Sequence, residues 1–400
     1  MMTTVSQAEK IVLSEARDYG TENVPLSTAL NRVLAEDIVA DRDLPPYDRV
    51  TMDGIAVKYS DFENSIKSFS NKGIQAAGEI PIDINNGECI EIMTGAALPA
   101  SADTVIRYED VSIQNGAATI LIDTIRKGQN VHKQGSDKTK GDIVAKANQY
   151  IHPALINIAA SVGNALLPVK KLPRTVIITT GNELVEINNT PSAFEVRKSN
   201  NYAIKSVLQN YCIHADMLHI PDDADVTKLE LQKCLEQYDV IILSGGISAG
   251  KFDYVPQVLE ELSVKKLFHK VEQRPGKPFW FGKHDNGVLV FAFPGNPVST
   301  FMCLHRYFIP WLEKSCNVES NVAYAILENA FGFKPNLQYF LQVKLSFNYN
   351  GQITAKPMEG NGSGDFANLL DTDAFMELPA ERDNFNKGEV FRIWPYKRTI

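Results

Sequence analysis

The chain has 400 residues, more than one hydrophobic core usually organises, so roughly two to four domains are expected. Hydrophobic residues make up 44% of the chain and charged residues 22%, as in an ordinary globular protein. The formal net charge of −8 argues against a nucleic-acid-binding protein, because nucleic acid needs a basic face.

The cysteines and the apolar runs point to a cytoplasmic protein without a membrane partner. The five cysteines are scattered and none has CxxC spacing, which argues against a disulfide framework or a zinc site. No apolar run approaches the ~20 residues that span a bilayer. The N-terminal stretch MMTTVSQAEK has no basic region followed by an apolar core, so no secretory signal is expected.

Helical and β-like patterns both occur in the first 172 residues. Ser6 and Glu9 have the spacing of a capping box, which predicts an N-terminal helix, and LSTALNRVLAE (26–36) predicts a second helix. Short β-like runs separated by turn residues lie between 55 and 141. We therefore expect a discontinuous helical linker domain, 1–46 plus 142–172, with a small β domain, 47–141, inserted into it.

From residue 173 onward, short apolar strands (TVIITTG, DVIILSGG, GVLVFAFPG) alternate with helical segments. This alternation predicts βαβ units on a parallel sheet that is covered on both faces. Residues 319–400 return to β-hairpin patterning. The expected fold is a multidomain α/β protein, with a central parallel-sheet α/β domain (173–318) and a C-terminal β domain (319–400).

Three of the predicted strands end in loops rich in glycine, serine and asparagine. In a parallel α/β sheet, ligands collect beyond these carboxyl ends. Glycine lets backbone N–H groups approach an anion, and a helix N-terminus adds partial positive charge. Turn chemistry would explain any one loop, but three at one edge favour a phosphate site. The loop residues are Thr180, Gly181, Asn182 and Glu183; Ser244, Gly245, Gly246, Ser248, Gly250 and Asp253; and Pro294, Gly295, Asn296, Pro297 and Ser299.

The segment HKVEQRPGKPFWFG (269–282) offers cations for the same ligand, namely Lys270, Arg274 and Lys277. Alone it could be a solvated basic turn; beside three such loops it suits an oxyanion. Carboxylates beside phosphate are repulsive unless a divalent cation lies between them, and Mg²⁺ prefers one or two carboxylates plus phosphate oxygens. The candidate acids, each of which could also be a cap or turn residue, are Asp53, Asp137, Glu183, Asp222, Asp223 and Asp253.

The sequence contains no GxSxG elbow, P-loop or GxGxxG fingerprint, so hydrolase triads, P-loop chemistry and dinucleotide redox chemistry lose support. From the residues alone, the chain is an α/β protein that binds a phosphorylated ligand together with Mg²⁺.

Seven motifs, in the order in which they occur along the chain, carry a resemblance to a known family. They are LPPYDRVTMDGIAV, IMTGAALPASADTVI, GSDKTKGD, TTGNELV, SGGISAGKFDYV, RPGKPFWFG and FPGNPVSTF. From about residue 5 to its C-terminus, the chain resembles the molybdopterin molybdenumtransferases, a family that includes the bacterial enzyme and the E domain of gephyrin.

The resemblance implies an enzyme of molybdenum cofactor assembly. Its substrates would be molybdate and adenylylated molybdopterin, a pterin dithiolene joined to AMP through a pyrophosphate. Molybdate is inserted at the dithiolene, the phosphoanhydride is cleaved and AMP is released, with Mg²⁺ present. The resemblance also implies a homodimer of four-domain chains with a cleft shared between subunits, and transient contacts with the adenylyltransferase and with apo-molybdoenzymes.

By similarity, most of the candidate residues acquire a role. Glu183, Asp222 and Asp253 would hold Mg²⁺ and position the substrate, while Lys270 and Arg274 would hold molybdate or phosphate. The partner subunit would contribute Asp53, Thr94 and Asp137 to the cleft. The implied catalytic set is therefore Asp53, Thr94, Asp137, Glu183, Asp253, Lys270 and Arg274. The implied substrate-binding set is Thr180, Gly181, Asp222, Ser244, Gly245, Gly246, Ser248, Gly250, Lys277, Pro294, Gly295, Asn296, Pro297 and Ser363, the last from GNGSGD.

Two residues depart from the family pattern. Arg274 stands where a lysine is common, and a guanidinium fork is not interchangeable with an ammonium. Gln342 stands where an arginine is expected, which would weaken anion binding from the C-terminal domain unless a neighbour compensates. Two alternatives remain: a non-catalytic, gephyrin-like scaffold, and a related adenylyltransferase or nucleotide pyrophosphatase.

Overall fold

The computed structural model describes residues 2–247 and 254–397. Three predicted site residues, Ser248, Gly250 and Asp253, lie outside the described residues. The chain forms two compact units: the first comprises Met1–Ala35, Asn148–Ile151 and Pro168–Ile400, and the second Glu36–Ala147 and His152–Leu167. The four-domain division stays a prediction.

The described helices are short, and in the part of the chain that the structure covers none is both long and apolar enough to cross a membrane. In chain order, the α-helices are α1 Val5–Ser14, α2 Tyr59–Glu63, α3 Pro153–Ser161, α4 Asn200–Asn210, α5 Ala224–Gln237, α6 Val255–Glu261, α7 Pro297–Cys303, α8 Ile309–Ser315 and α9 Asn368–Asp371. Leu26–Thr28 and Tyr108–Asp110 form 3₁₀ turns, and the π-helical segment Leu304–Phe308 joins α7 to α8.

A six-stranded sheet forms the centre of the first unit, and both of its faces are buried. Along the sheet the strands are Asp216–Ile220, Thr175–Thr180, Val240–Ser244, Leu289–Phe293, Trp280–His284 and Val264–His269. Alternate residues enter different cores: Ile177 and Ile242 pack with α1, α4, α7 and α8, whereas Ile178 and Leu243 pack with α5 and α6. The helical segments predicted to alternate with the strands are observed as α4, α5 and α6, with α7 and α8 after the last of these strands, and the α/β class is confirmed.

The predicted parallel sheet of the central domain contains one antiparallel strand. The first four strands run parallel, but Trp280–His284 is antiparallel to both of its neighbours. The reason is the connection, because the turn through Asn286 and Gly287 joins it to Leu289–Phe293 as a hairpin, too short for a parallel crossover.

Two sequence predictions near the N-terminus are also corrected. The capping box of α1 is formed by Thr4 and Gln7 rather than by Ser6 and Glu9. The predicted helix over 26–36 ends after the 3₁₀ turn, and Asn31 takes a left-handed φ of 64°. Its backbone is paired instead with residues 148–151, through Asn31 N–H to the Ile151 carbonyl and Leu34 N–H to the Gln149 carbonyl. Pairing with distant chain thus overrides the local helical periodicity.

The C-terminal β region of the first unit closes on itself. Five strands form the ring, in the order Gln338–Phe347, Ile353–Pro357, Ala323–Leu327, Val390–Pro395 and Ala374–Leu378, and the last pairs again with the first. A short strand, Gln273–Arg274, adds to Gln338–Phe347 in parallel. The segment RPGKP is thereby attached to the C-terminal barrel at its start and continues into the central sheet.

The second unit contains a mixed sheet around two small apolar clusters. In sheet order its strands are Thr104–Arg107, Gly54–Val57, Glu88–Ile92, Ser68–Gln75, Ala117–Ile120 and Val111–Gln114. The second unit also contains two strand pairs, Arg49–Val50 with Val131–His132 and Ile38–Val39 with Ile143–Ala145.

In the described part of the chain, three further strand pairs lie outside the three six-stranded sheets. They are Thr21–Pro25 with Leu166–Lys170, Leu184–Val185 with Val196–Arg197, and Phe331–Gly332 with Asn384–Phe385.

Candidate functional site

The three predicted loops meet at one edge of the central sheet and line a cavity of 840 Å³, called here the larger cavity. Thr180, Ser244 and Pro294 stand at the ends of three adjacent parallel strands, so topology alone brings their loops together. Of the predicted loop residues within the described ranges, the cavity is lined by Thr180, Gly181, Glu183, Ser244, Gly245, Gly246, Pro294, Gly295, Asn296 and Pro297.

The glycines of the second loop are required by their backbone geometry. Gly245 and Gly246 both have left-handed φ values, 102° and 67°. A Cβ added at Gly246 would lie 2.7 Å from Thr180 Oγ1 and 2.9 Å from Val255 Cγ2. Only backbone therefore fits between the second loop and Thr180 of the first loop, and no side chain covers the cavity surface at Gly245 and Gly246.

A hydroxyl on the cavity wall is unused within the protein. Thr180 is 93% buried (7% exposed), and its Oγ1 atom has no hydrogen-bond partner. A buried hydroxyl without a partner costs free energy, which a ligand acceptor would recover. Thr180 is thus a candidate donor to an anion.

Asn200, at the first residue of α4, was missed by the sequence reasoning. Its Nδ2 donates to Ser244 Oγ at 2.9 Å and to the Gly295 carbonyl at 2.7 Å, which ties the second and third loops together. The polar run KSNN before an amphipathic segment is the sequence signal of a helix start, and it could have identified this position.

Two carboxylates line the larger cavity. Glu183 lies beside Gly181, and Asp222 exchanges hydrogen bonds with Asn182: each backbone N–H donates to the other side chain at 3.1 Å. Within the described residues there is no cluster of three or more acids, histidines or cysteines that could hold a metal. Two carboxylates in a cavity suited to phosphate fit Mg²⁺, which takes one or two carboxylates plus phosphate oxygens and water.

A second cavity of 430 Å³, called here the smaller cavity, adjoins the first and shares Pro278, Pro294 and Asn296 with it. Arg274 and Lys277 are the cations among its described lining residues. The Arg274 guanidinium lies 5.8 Å from the ring centre of Phe333, which stacks on Tyr339 at 4.2 Å. The remaining walls of the smaller cavity come largely from the C-terminal barrel and the loops of that barrel.

The RPGKP loop, residues 274–278, is held in place by buried contacts with the helices that it packs against. Gly276 has a φ of 85°, and a Cβ there would lie 2.6 Å from Cys303 Sγ. Gln273 Nε2 donates to the Gly276 carbonyl at 3.1 Å, and Tyr307 hydrogen-bonds Gln273 in turn. Buried contacts to α7 and the π-helical segment therefore hold the loop that carries Arg274 and Lys277.

Ser363 and Gln342 both line the smaller cavity. Ser363 Oγ accepts from Asn296 Nδ2 at 2.9 Å, which links the C-terminal serine motif to the third strand-end loop. The Gln342 side chain is 91% buried (9% exposed) and accepts from Asn368 Nδ2 at 2.9 Å. At the position where an arginine was expected, the chain thus places a neutral amide that is engaged within the barrel.

Lys270 is not brought to either cavity. It is exposed, has a left-handed φ of 70°, and its carbonyl accepts from Thr3 N–H at 3.1 Å. The chain turns there to meet the segment before α1, so the residue lines neither cavity.

The predicted residues Asp53, Thr94 and Asp137 all belong to the second unit. Asp53 Oδ1 accepts from Thr94 Oγ1 at 2.7 Å and from its N–H at 2.6 Å, and these bonds hold the pKa of Asp53 below its ordinary value. Asp137 Oδ1 lies 2.9 Å from His132 Nε2, and Arg49 contacts the other ring nitrogen. Asp53 and Thr94 thus form one hydrogen-bonded pair.

Comparisons with known proteins cover the whole chain. Residues 3–163 match the family described as MoeA N-terminal region (domain I and II), 176–314 the probable molybdopterin binding domain, and 324–396 the MoeA C-terminal region (domain IV). The chain is 38% identical over 399 residues to the molybdopterin molybdenumtransferase of Synechocystis sp., covering 99% of this chain and 100% of the relative. It is 29% identical to the protein of that name from Haemophilus influenzae, with both chains fully covered.

The same relationship appears in three dimensions. Two crystal structures of the molybdopterin biosynthesis MoeA protein from Pyrococcus horikoshii superpose with a TM-score of 0.83, covering 99% of this chain and 100% of theirs. Their sequence identities to this chain are 30% and 26%. From matches that extend over its entire length, the chain belongs to the molybdopterin molybdenumtransferase family.

Proposed function

We propose that this enzyme of molybdenum cofactor biosynthesis inserts molybdate into adenylylated molybdopterin and releases AMP. One observation carries the proposal: two cavities, one built for phosphate and one with two cations, adjoin and share Asn296. A reaction that joins an oxyanion to a pyrophosphate-bearing substrate needs both kinds of site in contact.

The larger cavity would hold the phosphates. Backbone at Gly245 and Gly246 can approach phosphate oxygens closely, and the Thr180 hydroxyl offers an unused donor. Glu183 and Asp222 would hold Mg²⁺, which when bound would neutralise charge on the phosphate oxygens of the bond to be cleaved. The side chains would orient the pyrophosphate so that AMP leaves from one fixed position.

The smaller cavity would hold molybdate. Arg274 and Lys277 supply positive charge, and Ser363 is linked to Asn296 on the shared wall. Gln342 contributes no charge and Glu359, on the same lining, contributes a negative one, so the affinity for the oxyanion would rest on the two cations of the RPGKP segment. This arrangement would place molybdate next to the substrate held in the larger cavity.

The test is AMP release. Purified protein, adenylylated molybdopterin, molybdate and Mg²⁺ are expected to give AMP and active cofactor, measured by chromatography and by reconstitution of an apo-molybdoenzyme. A scaffold would bind ligands without releasing AMP above a no-protein control. A nucleotide pyrophosphatase would release AMP without molybdate-dependent cofactor formation. An adenylyltransferase, which moves the adenylyl group between ATP and molybdopterin with pyrophosphate as the other product, would release no AMP from this mixture.

The proposed active enzyme is a cytoplasmic homodimer, and its site includes Asp53, Thr94 and Asp137 from the partner subunit. It would exchange substrate and product with an adenylyltransferase and with apo-molybdoenzymes. If the site is shared, Asp53→Asn and Asp222→Asn subunits should complement each other. Random mixing gives half heterodimers with one intact site each, so about one quarter of wild-type activity is expected. Mixtures as inactive as the separate variants would contradict a shared site.

A further inference from the structure

A buried cation on the wall of the larger cavity, Lys198, has no role in the proposed function. Lys198 lies two residues before α4, and its side chain is only 6% exposed. Its ammonium donates to Glu186 Oε1 at 2.5 Å. Lys198 lines the larger cavity, whereas Glu186 is 58% exposed and is not among the lining residues.

The charged residues that line the larger cavity suggest a role for Lys198 in binding an anion. Among the described lining residues, the cations are Arg197 and Lys198, and the carboxylates are Glu183 and Asp222. Arg197 is exposed, and its Nε donates to the Asn189 carbonyl. A pyrophosphate added to this cavity brings further negative charge, and among the described lining residues the buried ammonium of Lys198 is a cation that can offset it.

The partner that now holds the ammonium is easily exchanged. Glu186 is 58% exposed, so water competes for its carboxylate and weakens its attraction to the ammonium. A phosphate oxygen inside the cavity would meet the same ammonium with less competition from water. Lysine also has a flexible four-carbon stem that can reorient toward a ligand.

We propose that Lys198 is a further substrate-binding residue, whose ammonium leaves Glu186 to bind a phosphate oxygen of the nucleotide pyrophosphate. Glu186 is then an internal competitor of the substrate. This inference rests on the proposed function, because it concerns the same cavity. It differs from a structural role, in which the ion pair only holds the 184–198 loop in place.

The two roles predict different results for the two halves of the ion pair. If Lys198 binds phosphate, the two variants should change pyrophosphate affinity in opposite directions; if the ion pair is only structural, both variants should weaken it. Binding of inorganic pyrophosphate and of AMP is measured by calorimetry at constant ionic strength. For Lys198→Met, pyrophosphate is expected to bind about tenfold to a hundredfold more weakly, the usual cost of losing a charged hydrogen bond. For Glu186→Gln, it is expected to bind about two- to fivefold more tightly, because a solvated competitor is removed.

A matched ion pair in the same domain provides the control. Lys228 and Glu261 are 2.8 Å apart and exposed, and neither lines the larger or the smaller cavity. The Lys228→Met and Glu261→Gln variants are expected to bind pyrophosphate as the wild type does. Thermal unfolding of all four variants checks that the fold is intact. If Lys198→Met does not fold, the direction in which Glu186→Gln changes the pyrophosphate affinity decides between the two roles.

The outcomes separate this inference from the proposed function. Weaker binding in both Lys198→Met and Glu186→Gln would show a structural ion pair, and unchanged binding in Lys198→Met would remove the phosphate contact; either result overturns the inference. Neither measurement needs turnover. A wild type that releases no AMP, yet binds pyrophosphate through Lys198, would refute the proposed function alone.

Discussion

Replacing Arg306 by methionine is expected to lower the free energy of unfolding of the first unit by about 3–5 kcal/mol, the usual cost of removing one partner from a buried ion pair. The Arg306 side chain is 2% exposed, with Nη2 2.8 Å from Glu9 Oε2 and Nε 3.4 Å from Glu377 Oε2. Its guanidinium also lies 4.5 Å from the ring centre of Trp394. The substitution would leave two carboxylates facing an apolar stem.

The effect is large because Arg306 joins three parts of the unit. Glu9 is on α1, Arg306 is in the π-helical segment, and Glu377 is in the C-terminal barrel. Arg392 lies 3.6 Å from Glu9 and would offset part of the loss, whereas Trp394 Nε1 and Gln338 still donate to Glu377. We therefore expect the contact between the C-terminal barrel and the π-helical segment to be the first part of the unit to separate.

Denaturant unfolding, followed by tryptophan fluorescence and circular dichroism together, measures the loss. The control is Arg382→Met: that arginine is 42% exposed and pairs with Glu389 at 2.5 Å, so about 1 kcal/mol or less is expected. An Arg306→Lys variant should be intermediate, since it keeps the charge but loses the fork. Equal losses in Arg306→Met and Arg382→Met would show that burial does not strengthen this interaction.

The α/β part of the fold could be predicted because its strands are continuous apolar runs. Thr175–Thr180, Val240–Ser244 and Leu289–Phe293 are buried along their whole lengths, so each appears in the sequence without ambiguity. Strand direction could not be predicted in the same way. Trp280–His284 is as apolar at its start as the parallel strands, and its direction depends on the short turn that follows.

The helix predicted over 26–36, which the structure does not form, shows where apolar periodicity misleads. Its apolar spacing is real, since Ala29, Val33 and Leu34 are all buried. They are buried by an irregular chain whose backbone pairs with residues more than a hundred positions away. Local periodicity cannot separate these two ways of burying the same side chains.

Part of the site followed from topology and part did not. Parallel strands place their carboxyl ends at one edge of the sheet, so the sequence alone predicts that the residues of the three loops lie together. Lys198 lies two residues before α4 and Asn200 is the first residue of that helix. Neither belongs to a loop that follows a strand of the central sheet, and nothing in their spacing places them at the larger cavity. Lys270 shows the converse, because it is close to Arg274 in sequence but the chain turns at residue 270 and the lysine lines neither cavity; its predicted role stays a prediction.

Replacing Asp222 by asparagine is expected to reduce AMP release about 100-fold or more while leaving the fold intact, as for other losses of a charged group that acts on the reacting atoms. An asparagine side chain can still accept the Asn182 N–H bond that Asp222 Oδ2 receives at 3.1 Å, so only the charge is removed. Glu183→Gln should have a comparable effect, because both carboxylates line the larger cavity and are proposed to hold Mg²⁺.

The neighbouring acid is the control that decides this prediction. Asp223 caps α5, its Oδ1 accepting from Val226 N–H at 2.9 Å, and it does not line the larger cavity. Asparagine caps a helix as well as aspartate does, so Asp223→Asn should keep both stability and turnover. AMP release is measured against Mg²⁺ concentration, and saturation in Asp222→Asn should require more Mg²⁺ than in the wild type. Equal turnover and equal Mg²⁺ dependence in the two variants would remove Asp222 from the proposed metal site and leave that role to the acids of the other loops.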